Sequence, residues 1–136
     1  MATQHVEHSS HLESVREVED DYDIEPYLTR WRQRQRVMEA RRQRLTVQAR
    51  QDAAQIAAML RRDFGVTRVL LFGSLVKGKF NTRSDIDLVV ADLPPDLLFL
   101  AIAQAGKLSE FPIDLKPLEA LSEHFLRRVL ETGEEI

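Results

Sequence analysis

Apolar residues follow a helical period through the first half of the chain and a strand period after it. From Pro26 to Phe64 no glycine or proline intervenes, and apolar side chains recur at Leu28, Trp31, Met38, Leu45, Ala49, Ala53, Ile56, Leu60 and Phe64. Steps of three, four and seven dominate, as one face of a helix requires. Pro26, preceded by Asp23 and Glu25, suits a helix start, because proline fits the first turn and acids favour the N-terminal dipole. Gly65 suits the close. The pattern predicts one long helix, or two in line with a break near Thr46-Val47. Its first half has a narrow apolar stripe and is too basic for a core, so it is expected to project from the domain.

Past Gly65 the period changes. VTRVLLFG, residues 66–73, reads as a short β-rich strand, and SDIDLVVA, residues 84–91, as a second. KGKFNTRS between them has turn composition. LPPDLLFLAIAQAG predicts a helix from about Pro95 to Gln104, ending at Gly106 and well buried because it is apolar almost all round. FPIDLKPL reads as a third strand between two prolines. Leu118 to Glu131 reads as a last helix, with Leu121, Phe125, Val129 and Leu130 on one face. The predicted class is α/β (α+β): a short mixed sheet flanked by helices, with a long N-terminal helical extension.

Charge divides the chain where hydropathy does not. Residues 1–25 carry eight acids and one arginine, a balance of −7; residues 26–50 carry eight arginines and one acid, a balance of +7. A net charge of −3 therefore conceals an acidic segment followed by a basic one. Three regions are expected: an acidic disordered tail at 1–24, an Arg-rich helical extension at 25–45 and a folded domain at 46–136. His5, His8 and His11 recur every third residue, but without a rigid frame they read as a solvated tail. The absence of cysteine excludes disulfides and zinc–thiolate sites and fits a cytoplasmic protein. No secretory signal is legible, and the apolar run LLFLAIA falls far short of the roughly 20 residues that span a bilayer.

Candidate chemistry concentrates in LFGSLVKGKFNTRSDIDLVV, residues 71–90. Strand side chains alternate between faces, so Ile86, Leu88 and Val90 point to the core while Asp85 and Asp87 share the other face. In the third strand Ile113 and Leu115 take the core face, and Asp114 and Lys116 the opposite one. If the two strands are neighbours, three carboxylates meet on one surface. They would repel and resist ionising unless a divalent cation joined them. Hard oxygen donors suit magnesium held jointly with substrate phosphates, and two such ions can clamp both ends of a phosphoryl displacement. Gly73 lets the backbone approach an anion, and Ser74 adds an amide and a hydroxyl donor. Lys77, Lys79 and Arg83 lie between the motif halves and can neutralise remaining phosphate charge. Each piece alone has a plain structural explanation; the combination is what points to chemistry.

This combination, GSLVKGKFNTRSDID followed by FPIDL, resembles the nucleotidyltransferase superfamily that includes DNA polymerase β. Within it, residues 46–136 look most like minimal nucleotidyltransferases, often the antitoxins of HEPN–MNT toxin–antitoxin modules. The resemblance implies that Asp85, Asp87 and Asp114 ligate magnesium, as two ions, with Asp114 also the general base. It implies that Gly73 and Ser74 hold the β- and γ-phosphates of ATP, with Lys77, where such proteins often carry arginine, adding positive charge. AMP would pass to a hydroxyl, a tyrosine of a cognate HEPN RNase toxin, releasing pyrophosphate.

Two other functions remain open. One is a non-catalytic antitoxin that neutralises its toxin by covering it. The other is a small-molecule nucleotidyltransferase acting on an aminoglycoside-like alcohol, against which stands the short run of chain after Asp114. The retained, mutually repelling acids favour the enzyme. The Arg-rich helix, with Leu28, Trp31 and Met38 on one stripe, is expected to contact a protein partner or its own chain, and a homo- or hetero-oligomer is expected. Phosphate neutralisation by WRQRQRVMEARRQR would also permit nucleic-acid binding, although no base-reading motif accompanies it. No membrane partner is expected.

Overall fold

The computed structural model describes residues 23–136. The expectations for His5, His8 and His11 and for nearly all of the acidic segment lie outside these residues. Among them the elements run α1 (Glu25–Phe64), β1 (Arg68–Phe72), β2 (Ile86–Ala91), a 3-10 turn (Pro95–Leu97) leading into α2 (Leu98–Gly106), β3 (Ile113–Pro117), a second 3-10 turn (Leu118–Ala120), α3 (Glu123–Thr132) and β4 (Glu134–Glu135). Residues 40–136 form one compact unit. No helix of the described residues is long and apolar enough to cross a membrane.

α1 is continuous for 40 residues, with no break at Thr46-Val47. Gly65, at φ +71°, closes it in a left-handed conformation that a side chain would oppose. Val66 N–H then returns to the Leu60 carbonyl at 3.3 Å. The helix changes character along its length. From Glu25 to Glu39 its apolar side chains are largely exposed, Trp31 at 54% and Met38 at 63%. From Ala49 onward Ala53, Ile56, Ala57, Leu60 and Phe64 are buried.

The sheet has strand order β3-β2-β1-β4. β1 and β2 run antiparallel, with Leu71 opposite Leu88; β2 and β3 run parallel, with Leu88 opposite Leu115. α2 supplies the crossover that a parallel pair requires. On one sheet face Val69, Leu71, Ile86, Leu88, Val90 and Leu115 pack with the buried half of α1, with Ala101 and Ala105 of α2, and with Leu75 and Phe80 of the β1–β2 connection. On the other face Leu70 and Val89 pack against Val129 of α3, with Phe72, Leu118, Leu121 and Phe125 around them. Ser122 caps α3, its side-chain oxygen accepting from Phe125 N–H at 3.2 Å.

Two expectations are corrected. α2 is not buried all round: it turns Ala101 and Ala105 inward and leaves Phe99 83% and Leu100 50% exposed. Ala101 and Ala105 are fully buried, Leu98 and Ile102 pack partly on the same core, and Phe99 and Leu100 turn away from it. The second correction is β4, which the apolar pattern does not announce. Glu134 and Glu135 pair antiparallel with Leu71 and Leu70. They are held by ion pairs to Arg50 at 2.5 Å and Arg68 at 2.6 Å. Ile136 N–H donates to the Val69 carbonyl at 3.0 Å, and Arg61 donates to the Ile136 carbonyl.

Truncating Ile56, fully enclosed on α1, is expected to cost about 2–5 kcal/mol as Ile56→Ala, whereas Val37→Ala on the exposed half should stay within about 0.5 kcal/mol. Urea unfolding midpoints of the two variants check this.

Candidate active site

The site forms where β1 ends and β2 and β3 begin. β1 delivers Phe72 and then Gly73, and the antiparallel register sets Phe72 opposite Asp87. The parallel register sets Asp87 opposite Asp114. Side chains at opposed register positions share a face, so both carboxyl groups stand on the face away from the main core. Ile86 N–H donates to the Pro112 carbonyl at 2.9 Å, which locks the two strand starts together. Asp85 precedes β2 and is exposed; Asp87 and Asp114 are half-buried.

Gly73 is required by this arrangement. It sits at φ +78°, and a Cβ placed on it would fall 2.2 Å from Asp87 Oδ2. The space a side chain would occupy belongs to the Asp87 carboxylate. After Gly73 the chain turns tightly: Lys77 N–H donates to the Gly73 carbonyl at 3.1 Å and Lys79 N–H to that of Ser74 at 2.9 Å.

The rest of the β1–β2 connection is anchored rather than loose. Leu75 and Phe80 are buried in the core. Phe80 meets Phe111, which lies just before β3, edge-to-face at 5.0 Å. Asn81 and Ser84 cross-brace the last turn: Asn81 N–H donates to Ser84 Oγ at 2.9 Å, and Arg83 N–H to Asn81 Oδ1 at 2.8 Å. That turn sets Asp85. Lys77, Lys79 and Arg83 are all exposed.

Electrostatics follow from the crowding. Burial pushes the Asp87 carboxyl up to about 6, the charges of Asp114 and Asp85 push the same way, and Lys116 opposes them. Lys116 Nζ lies 2.5 Å from Asp114 Oδ2 and 5.9 Å from the centre of the Phe72 ring. The three predicted carboxylates thus share one neighbourhood, with Asp87 feeling the charge of the other two. They do not form a closed cage: among the described residues no three acidic or histidine side chains converge tightly enough to hold a metal. The donor set still fits magnesium, since it is all hard oxygen, concentrates negative charge and contains one carboxyl that resists ionising without a cation.

Two contributors escaped the sequence analysis. Asp52 on α1 is a buried acid that accepts from Gln48 Nε2 at 2.9 Å and from Ser109 Oγ at 2.7 Å, while Ser109 Oγ accepts from Phe111 N–H at 3.1 Å. It fastens the segment that leads into β3 and Asp114. Its position on the apolar stripe of α1, three residues after Ala49, was the available signal. Lys116 was assigned to the face of Asp114 but not to a contact with it.

Comparison with known proteins bears on this arrangement. The family model described as polymerase beta, nucleotidyltransferase matches residues 54–136, which include every strand of the described residues and the Gly73–Ser74 turn, Asp85, Asp87 and Asp114. The fold is similar to the crystal structure of a toxin–antitoxin with AMP-PNP, at 23% identity and a TM-score of 0.55, over 61% of this chain and 70% of that one. It is also similar to the crystal structure of the toxin–antitoxin MntA-HepT, at 20% identity and a TM-score of 0.50, over 63% and 69% of the two chains. No curated protein matches the chain. A Gly-Ser turn closing one strand, an Asp-x-Asp opening the next and a third aspartate facing it across a parallel pair form the arrangement that the sequence resemblance implied. With the family match spanning more than half its length, the chain is a nucleotidyltransferase and belongs to the polymerase β nucleotidyltransferase family.

Proposed function

We propose that the protein is an ATP-dependent adenylyltransferase that acts as an antitoxin, moving AMP to a tyrosine of a HEPN-type toxin. The observation that carries the reading is the pairing of Asp87 with Asp114 across β2 and β3, beneath a Gly73 that has no room for a side chain. Two carboxylates placed side by side at half-buried positions destabilise a fold on their own, and a cation-dependent site explains them. Similarity to toxin–antitoxin structures, one of them with AMP-PNP, supports ATP as the nucleotide and a toxin as the partner. Exposed Trp31 and Met38, among the arginines of 25–45, offer that partner a basic helix with an apolar stripe. The cytoplasm is where this reading sets the reaction.

In this reading residues 46–136 are the catalytic domain, and Asp85, Asp87 and Asp114 hold magnesium, as two ions. Bound magnesium supplies positive charge to the triphosphate and to the acceptor oxygen. Ser74 donates from its hydroxyl and amide to the β- and γ-phosphates, and Gly73 lets the backbone come close to them. Lys77, on the turn after Ser74, adds charge to the same oxygens. Asp114 takes the proton from the acceptor hydroxyl as its oxygen attacks the α-phosphorus, and pyrophosphate leaves on the opposite side. The direct test is incubation with α-labelled ATP, magnesium and a candidate HEPN-type toxin. Adenylyl groups should appear on a toxin tyrosine; a tight stoichiometric complex with no transfer would instead favour neutralisation by binding.

Replacing Asp87 should separate function from stability. Asp87→Asn is expected to lower transfer about 100-fold or more. In the wild type, burial and the neighbouring acids push the Asp87 carboxyl up to about 6, above the ordinary value of ~4. Its stabilising protonated form is thus fully present below about pH 4 and lost as pH rises through about 6. Without added magnesium, Asp87→Asn should therefore melt higher than the wild type at pH 7.5, with the gap closing by pH 4. Thermal melts across that range check the sign.

Gly73→Ala should lose transfer by a comparable factor, because its Cβ displaces the Asp87 carboxylate. Left-handed backbone geometry adds a stability cost of roughly 1–2 kcal/mol. Chemical denaturation beside the transfer assay measures both.

A further inference from the structure

Lys116 belongs to neither the Gly-Ser turn nor the Asp-x-Asp, yet the fold seats its charge within the carboxylate cluster. It stands two residues beyond Asp114 on β3, on the same face, opposite Val89 in the register. From there its side chain reaches back along its own strand, and Nζ meets Asp114 Oδ2 at 2.5 Å. The ammonium also lies 5.9 Å from the Phe72 ring centre, within the reach of a cation–π attraction. Phe72 is itself braced, edge-to-face, by Phe125 of α3 at 5.6 Å. Lys116 is thus held by an anion and by a ring that a helix supports, whereas Lys77 and Lys79 are exposed on the turn above.

We propose that Lys116 is a built-in counter-cation that competes with the divalent ion for Asp114, and so sets how tightly the site takes its metal. The proposal rests on the reading of Asp85, Asp87 and Asp114 as metal ligands. Its physical basis is simple. An ammonium is a compact point charge, and on Asp114 Oδ2 it occupies a lone-pair site that a cation would need. A metal arriving at the same carboxylate must displace Lys116 or sit beside a like charge. Magnesium alone would then bind weakly. An incoming triphosphate would offer Lys116 other oxygens, releasing Asp114 as the metal and nucleotide enter together. Lys116 acts through Asp114 and is a positioning residue.

The test is titration of the full chain with Mn2+ at pH 7.5, without nucleotide, reading free Mn2+ by paramagnetic resonance. Lys116→Met keeps the apolar stem and removes the charge; it should bind Mn2+ about tenfold more tightly than the wild type, the scale of one neighbouring charge. Lys116→Arg, which retains the charge, should stay near the wild type. In an Asp114→Asn background the Lys116→Met gain should vanish. Thermal melts establish that each variant is folded. Equal or weaker binding by Lys116→Met, or a gain that survives in Asp114→Asn, overturns the role of Lys116 and leaves the metal reading standing. Failure of the wild type and Lys116→Met alike to bind Mn2+ counts as equal binding and overturns the role of Lys116; if both also fail to bind it with a non-hydrolysable ATP analogue present, the metal reading falls with it.

Discussion

Two carboxylates standing side by side across a parallel strand pair are the constraint around which the site is arranged. Asp87 and Asp114 occupy opposed register positions, so they cannot move apart without breaking the β2–β3 pairing. Burial and mutual charge make ionisation of Asp87 costly. Several nearby features answer that cost. Gly73 yields the volume that the Asp87 carboxylate fills. Lys116 places a positive charge on Asp114. Asp85 stands exposed to water just before the strand.

The sheet makes this tolerable by treating its two faces differently. One face is apolar along its length and carries the main core against α1 and α2. The other is apolar only where α3 covers Leu70 and Val89. Phe72 marks the change, touching Phe125 on one side and lying opposite Asp87 on the other. The acids therefore stand at the edge of a packed layer, half-buried at Asp87 and Asp114 and exposed at Asp85. Asp52, through Ser109, steadies the approach to β3, so a buried acid remote in sequence contributes to the placing of Asp114.

Much of this was legible in the sequence because it rests on local periodicity. Strand alternation alone sorted Ile86, Leu88 and Val90 from Asp87, and Ile113 and Leu115 from Asp114 and Lys116. The uninterrupted stripe from Pro26 to Phe64, closed by Gly65, implied the long helix. Other features were illegible for definite reasons. β4 has two glutamates and no apolar signal; its pairing joins segments far apart in the chain, where the arginines at 50 and 68 meet its side chains. The apolar run of α2 read as buried all round, yet Phe99 and Leu100 are exposed, since only one face of a helix packs against one sheet.

By itself, then, the sequence determined which residues share a face of β2 and of β3, and with that which acids stand on the side away from the core. Such assignments depend only on the two-residue period of strands. The tertiary structure alone decided that β2 and β3 are neighbours, in a register that sets Asp87 against Asp114. It also decided that Lys116 turns back onto Asp114, and that the chain's last residues return to pair with β1. Those outcomes depend on distances between segments far apart in the chain, which no local pattern encodes.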